Sequence, residues 1–135
     1  MATRCTRTVL AVTIAFVVAG CSQDSADVYA GEQADEDTLP AEIDATEYGW
    51  DADSSRLLAA HEGTEFYVVA GEEGDCLITY DPAAAGDWVA GCTPGGRVST
   101  SGQLGIKAEF APAGLPGETP EGWMRLTPQL QIESS

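Results

Sequence analysis

The sequence is poor in positive charge. Its 135 residues include six Lys or Arg against 22 Asp or Glu, and the formal net charge is −16. Lys107 is the only lysine. A surface of this sign repels phosphate backbones and anionic lipid headgroups. The composition therefore argues against nucleic acid as a partner and against membrane attachment through a basic patch.

Side chains that often carry chemistry are also scarce. His61 is the only histidine, and the sequence has no Gly-x-Ser-x-Gly elbow, no phosphate-binding Gly-rich loop followed by Lys, and no zinc spacing of Cys and His. A histidine that acts as a general base needs a group to activate, and a lone histidine beside a turn is more often a surface residue. We therefore predict no catalytic residue, no metal site and no cofactor. An enzyme whose site leaves no motif stays open as an alternative.

One acidic stretch approaches the pattern of a calcium loop. Asp51, Asp53, Ser55 and Glu62 stand at positions 1, 3, 5 and 12 of such a loop. The sixth position needs Gly for a sharp turn, and here it is Arg56, whose charge also opposes a cation. Calcium binding is therefore not predicted.

An apolar run near the N-terminus is too short to span a membrane. Residues 9–19 contain one polar side chain, Thr13, and follow a segment with Arg4 and Arg7 and no acid. At about 1.5 Å per residue, this run cannot cross a hydrocarbon layer of about 30 Å as a helix. It has the length and flanks of the central region of a signal peptide.

The apolar run ends in Val18-Ala19-Gly20-Cys21, which resembles the bacterial lipobox: an aliphatic residue, two small residues and a cysteine. The resemblance implies that residues 1–20 are a lipoprotein signal peptide and that Cys21 becomes the mature N-terminus, acylated with chains such as palmitate. Two or more acyl chains hold a protein firmly to a membrane. The chain is thus predicted to be a lipoprotein on the extracytoplasmic face of the cell membrane. Plain secretion and an uncleaved anchor are the alternatives.

Residues 21–55 are predicted to form an acidic, disordered tether. Low hydrophobicity combined with high net charge favours disorder, and we expect this stretch to hold the domain away from the membrane. A tail that binds cations or a basic partner is the alternative role. Loss of residues 1–20 leaves four basic and 22 acidic residues, a net charge of −18. Such acidity also suits a protein kept soluble in a saline habitat.

Residues 56–132 have the pattern of a small β-rich domain. Alternation in Leu104–Phe110 predicts a strand with one buried face, and residues 97–103 fit either a short helix or a loop. Two further short strands, 123–127 and 130–132, are expected to close and extend the sheet. Four apolar runs, separated by turn residues, predict an antiparallel meander: 57–61, 65–70, 76–80 and 88–92. The fold class is therefore mainly β, a small meander or sandwich-like domain.

Cys76 and Cys92 are the cysteines that remain once Cys5 leaves with the signal peptide and Cys21 is acylated. They begin one predicted strand and end the next, so a hairpin places them opposite each other, and an oxidising compartment favours a disulfide. A bridge that closes a loop of about 16 residues stabilises by roughly 3 kcal/mol, less any strain. A redox or metal pair is the rival interpretation, but it lacks Cys-x-x-Cys spacing and further ligands.

The stretch 57–92 resembles small exported actinobacterial lipoproteins of unknown role. In these, a Cys-aliphatic strand follows a Gly-Asp turn and a second Cys comes later; here the residues are Gly74-Asp75-Cys76-Leu77 and Cys92. The resemblance implies no activity.

Three aromatic residues, Trp50, Trp88 and Trp123, are candidates for contact with a ligand, although packing is the commoner role of tryptophan in a small β domain. Taken together, the sequence predicts a non-catalytic binding or interaction module with a protein or cell-envelope partner. A small-ligand or cation-binding lipoprotein is the alternative.

Overall fold

The computed structural model describes residues 27–84, 86–102 and 104–133. Within these residues it contains three short 3₁₀ turns, no α-helix, and two antiparallel sheets of four strands each. The first sheet has the order β1-β2-β3-β4, with bounds β1 Trp50–His61, β2 Thr64–Gly71, β3 Gly74–Asp81 and β4 Asp87–Thr93. The second has the order β5-β6-β8-β7, with bounds β5 Val98–Thr100, β6 Ala108–Phe110, β7 Trp123–Thr127 and β8 Leu130–Glu133. The predicted mainly β, meander and sandwich-like fold is confirmed.

The predicted signal peptide, with Cys5 and Cys21, lies outside the described residues. In the part of the chain that is described, no helix has the length and apolar character that a membrane span needs.

Tight hairpins join the first three strands. His61 pairs with Thr64, which leaves Glu62 and Gly63 as the two loop residues, with φ of 50° and 84°. Two consecutive loop residues with positive φ form a type I′ turn, whose twist matches that of the flanking strands. In the next hairpin Gly74 has a φ of 106°, and a Cβ there would collide with the backbone of Thr93. Only glycine fits that position.

The main core lies between the two sheets. Alternate residues of β2 and β3 point toward the second sheet, because successive side chains of a strand lie on opposite faces. The buried side chains of this core are Phe66, Val68, Leu77, Val98, Ala108, Phe110, Leu130 and Ile132.

The outer face of β2 and β3 in the first sheet is also buried. Its side chains are Tyr67, Val69, Cys76, Ile78 and Tyr80, each 6% exposed or less. Leu39 and Ile43 of residues 27–49, here called the cover segment, pack on these side chains, whereas Val28 and Tyr29 at the start of the segment pack against the main core between the sheets. Burial on both faces explains why the sequences of β2 and β3 are nearly continuous apolar runs.

Hydrogen bonds hold the middle of the cover segment on β1. Asp37 accepts from the backbone N–H of Leu57 (2.9 Å) with one carboxylate oxygen and from that of Ala34 (2.9 Å) with the other. The Ser55 hydroxyl donates to the backbone carbonyl of Asp37 (2.6 Å), and the Gln33 amide donates to the Ser55 hydroxyl (2.7 Å). Ser55 is fully buried under these contacts.

The start of the cover segment is held by Arg56 and Asp75. The Arg56 guanidinium donates to the backbone carbonyls of Tyr29 (3.2 Å) and Gly31 (2.9 Å). The Tyr29 hydroxyl donates to the Asp75 carboxylate (2.6 Å). Arg56 therefore joins the cover segment to β1 through side-chain hydrogen bonds.

These contacts correct the predicted boundary between tether and domain. Disorder over 21–55 is wrong for residues 27–55, because β1 begins at Trp50 and the cover segment packs on the sheet before it. The segment is ordered mainly by hydrogen bonds and needs only a few apolar side chains. Its composition therefore resembles that of a disordered chain. The remaining residues of the predicted tether, 21–26, lie outside the described part.

The second sheet differs in detail from the prediction. Only residues 108–110 of the predicted strand Leu104–Phe110 are in a strand, because the Gly105 N–H donates to the Gly102 carbonyl (3.0 Å) in a turn and Gly105 has a φ of 69°. The interval 97–103 contains strand β5 in place of a helix or loop. Residues 123–127 and 130–133 are strands, as expected, but they form this separate sheet and do not extend the first.

Candidate functional site

The predicted disulfide is present. Cys76 and Cys92 lie opposite each other in the register of β3 and β4, with their Cα atoms 4.0 Å apart, and their sulfurs are bonded. The Trp50 ring lies beside this bond: a Cβ on Gly71 would be 2.7 Å from Trp50 Cδ1 and 3.4 Å from Cys76 Sγ. The missing side chain of Gly71 thus leaves room for Trp50 to lie across the sheet.

Tyr48, Trp50 and Trp88 meet on the outer face of the first sheet and form what we call the aromatic cluster. The Tyr48 and Trp50 rings are stacked, with centroids 4.9 Å apart. Trp88 meets both edge-on, at 5.2 Å from Tyr48 and 6.0 Å from Trp50. The two tryptophans are half-buried, whereas Tyr48 is 48% exposed.

Local backbone geometry places Tyr48 at the surface. It ends the 3₁₀ turn Ala45–Tyr48, in which the Asp44 carboxylate accepts from the Thr46 N–H (3.0 Å). Gly49 follows with a φ of 70°, a conformation that glycine adopts at little cost. The chain therefore reverses between Tyr48 and Trp50 and brings the two rings together.

Carboxylates border the aromatic cluster. The Glu72 side chain packs against Gly49, with Oε2 3.2 Å from the position of a Cβ there, and the Glu72 N–H donates to the Gly49 carbonyl (3.3 Å). Asp87, which precedes Trp88, is exposed. Burial, and then the nearby Glu42 carboxylate, raise the pKa of Tyr80, which lies opposite Trp88 in the register. The rings thus lie in a negative electrostatic environment.

The basic side chains of the described residues have their contacts elsewhere. Arg56 binds backbone carbonyls of the cover segment. Arg97 faces Glu109 (3.6 Å), Arg125 donates to Gln131 (3.3 Å), and Lys107 lies 5.4 Å from the Trp123 ring, all on or beside the second sheet. The ion pairs observed among the described residues therefore do not involve Glu72 or Asp87, the carboxylates at the cluster.

The structure brings together two of the three predicted tryptophans. Trp123 is the first residue of β7 in the second sheet, where Lys107 lies over its ring, and it is not part of the cluster. Tyr48 was not among the predicted contact residues. Its signal in the sequence was the interruption of an acidic, polar stretch by Tyr48-Gly49-Trp50.

A second candidate site is a pocket of about 310 Å³ at one end of the sandwich. His61 lies at its rim, and its Nε2 atom is 3.9 Å from the Glu62 carboxylate. Its lining consists of His61, Glu62, Thr64, Phe66, Ile106, Met124, Ile132 and Glu133. The pocket combines apolar and polar side chains.

The calcium-like residues do not form a loop. Asp51, Asp53 and Ser55 lie within β1, while Glu62 lies in the turn beyond its other end. Asp51 accepts from the Asp53 N–H (3.1 Å), and the Ser55 hydroxyl donates to the cover segment. Over residues 27–84, 86–102 and 104–133, no three His, Cys, Asp or Glu side chains are grouped so that they could hold a metal ion.

No protein-family model, curated protein or solved structure matches this chain. The resemblance to exported actinobacterial lipoproteins therefore stays a prediction from the residues quoted above.

Proposed function

We propose that this protein is a non-catalytic binding module, anchored by lipid on Cys21 to the extracytoplasmic face of the cell membrane. The observation that supports a binding role best is the aromatic cluster. The cluster groups the exposed Tyr48 with two half-buried tryptophans, and Tyr and Trp are enriched at interfaces. The anchor rests on the lipobox-like Val18-Ala19-Gly20-Cys21.

The ordered cover segment changes the expected distance between lipid and domain. Cys21 and Asp27 are six residues apart in the sequence, so the chain between them reaches at most about 20 Å. An anchored domain would therefore lie near the membrane surface and not at the end of a long tether. Partners within the membrane or close to it become the natural candidates.

The disulfide is consistent with an exported protein, because disulfides form and persist in oxidising compartments. Cytosolic thiols are usually kept reduced, so Cys76–Cys92 would have little stabilising effect there.

The intact, unreduced mass of the protein extracted from native membranes tests the anchor. We expect a chain that starts at Cys21, heavier by two or three acyl chains and lighter by two hydrogens for the disulfide. Cys21→Ala should release the protein from the membrane fraction, while the matched change Cys5→Ala should leave mass and location unchanged. An unacylated wild-type chain would contradict the proposal.

Crosslinking on intact cells tests the binding role. The full protein should enrich a specific partner over a control in which residues 1–26 carry an unrelated soluble domain. Equal recovery from both would argue against an interaction through residues 27–133.

A second candidate function, small-ligand binding, is favoured by the pocket at the end of the sandwich. The pocket brings the apolar Phe66 and Ile132 together with the polar His61 and Glu133, and ligand sites combine apolar side chains with a few polar groups. Calorimetric titration with small solutes tests it. Binding heat that is lost in Met124→Trp, which fills the pocket, but kept in Tyr48→Ala would support this alternative.

A further inference from the structure

We propose that the aromatic cluster and the adjoining Glu72 carboxylate bind an arginine side chain presented by a protein partner. This inference rests on the proposed binding function and specifies the chemistry of the partner.

The ring geometry suits a planar cation. Tyr48 and Trp50 are stacked at an interplanar angle of 26°, and Trp88 stands at 88° to Tyr48. Cations are attracted to the faces of Trp and Tyr rings, and a guanidinium also stacks on them. Tyr48 is the accessible member, with 48% of its surface exposed.

Charge complementarity indicates that the partner contributes a positively charged group. Glu72 packs against Gly49, directly between Tyr48 and Trp50 in the chain, and exposed Asp87 precedes Trp88. The basic residues among the described ones are engaged elsewhere, on the cover segment or the second sheet. A guanidinium on the rings would place its N–H donors within reach of a carboxylate, and such charge-assisted bonds are stronger than neutral ones.

The exposure of Tyr48 favours a protein over a small molecule as the partner. Three pockets formed by described residues are lined by side chains outside the aromatic cluster. Small-molecule sites are concave and bury most of their ligand. A projecting side chain can bind a shallow surface because the rest of its protein contributes additional contact area, and arginine is enriched at protein interfaces.

Packing does not account for Tyr48. Trp50 packs over Gly71 and the Cys76 sulfur and has a structural role there. Tyr48 contacts the two tryptophans but leaves nearly half of its surface in solvent. Tyr48→Ala should therefore fold, which makes it a clean test of binding.

The experiment is a calorimetric titration of the protein, expressed from its full-length sequence and purified as the cell delivers it, with a short Gly/Ser peptide that contains several arginines. We expect Tyr48→Ala and Glu72→Gln each to weaken binding by roughly 5-fold, while Tyr48→Phe keeps the affinity. Glu118→Gln is the matched control: it makes the same change of charge at an exposed position in the loop before β7, and should alter the affinity by less than about 2-fold.

Three outcomes would overturn the proposal. The first is no binding of the peptide by the wild-type protein at low salt. The second is equal weakening by Glu72→Gln and Glu118→Gln, because that would show general attraction to an acidic surface. The third is equal affinity for a peptide in which lysines replace the arginines. None of these depends on acylation or on capture from cells. If the peptide titration fails but Cys21 is acylated and a partner is captured on cells, the arginine site is excluded and the proposed function is retained.

Discussion

One face of the first sheet packs against a second sheet, and the other packs against the cover segment. The inner interface is made of strands whose apolar residues alternate, such as Phe66 and Val68 against Phe110 and Leu130. The outer interface is made of an irregular, acidic segment that contributes Ile43 and Leu39. Both faces of the central strands β2 and β3 are nearly completely buried, although only the second sheet has the composition of a folded element.

The difference lies in what orders each layer. A strand in a sheet satisfies its backbone groups through the ladder and is free to bury an apolar face. The cover segment satisfies them through side chains such as Asp37 and Arg56, which donate to or accept from backbone atoms. Polar residues in this segment are therefore part of the fold, and a high content of Asp and Glu does not by itself indicate disorder.

The sharpest test of this equivalence uses two neighbouring residues of β3. Leu77 faces the second sheet and Ile78 faces the cover segment, and both are 0% exposed. If both faces are true cores, Leu77→Ala and Ile78→Ala should each lower the free energy of unfolding by about 2–5 kcal/mol, since each leaves a cavity. Urea unfolding measures the two values. A nearly neutral Ile78→Ala would mean that the cover segment is only loosely attached.

A smaller effect is expected from the polar contacts of the cover segment. Asp37→Ala removes the acceptor for two backbone N–H groups, those of Ala34 and Leu57, and should cost about 1–3 kcal/mol. Asp35→Ala is the matched control, because Asp35 belongs to the same 3₁₀ turn, is exposed, and carries the same charge. Its cost should stay within about 0.5 kcal/mol. Similar losses in both variants would assign the effect to charge and not to hydrogen bonding.

The smallest effect is expected at Tyr29, and it depends on pH. Burial, and then the hydrogen bond to Asp75, raise the pKa of the Tyr29 hydroxyl above its usual range. The neutral form is thus favoured in the folded chain, so its contribution is complete below about pH 10, where unfolded tyrosine is neutral, and is lost as the pH rises further. Tyr29→Phe should cost about 1 kcal/mol at neutral pH.

The stability gap between wild type and Tyr29→Phe should narrow as the pH rises above about 10. Urea midpoints at a series of pH values measure this gap. Tyr48→Phe controls for loss of a hydroxyl at an exposed position. A gap that stays constant at alkaline pH would contradict the role assigned to the bond with Asp75.

The first sheet could be predicted from the sequence because its signals are local. Turn residues such as Glu62-Gly63 separate runs with high β propensity, and the spacing of Cys76 and Cys92 matches a hairpin. The second sheet was harder to predict, since β5 and β6 have three residues each and a loop rich in Gly and Pro follows β6. Periodicity needs a longer window than that.

The aromatic cluster could not be predicted, because it depends on distant parts of the chain. Trp50 belongs to β1 and Trp88 to β4, the two edges of the first sheet. They meet because Gly71 has no side chain between Trp50 and Cys76. No local sequence pattern predicts the space that Gly71 leaves for Trp50, although Tyr48-Gly49-Trp50 differs from the acidic residues around it.

A thiol reagent would meet the two sulfurs of the disulfide unequally. Cys76 is fully buried beside Trp50, whereas Cys92 is exposed. Exchange therefore begins by attack at Cys92 and must expel the Cys76 thiolate into apolar surroundings, where a negative charge is costly. A poor leaving group slows exchange, so the crosslink should resist small reductants for as long as Trp50 and the cover segment stay in place. The layer that resembles a tether in the sequence thus also shields the bond beneath it from chemical attack.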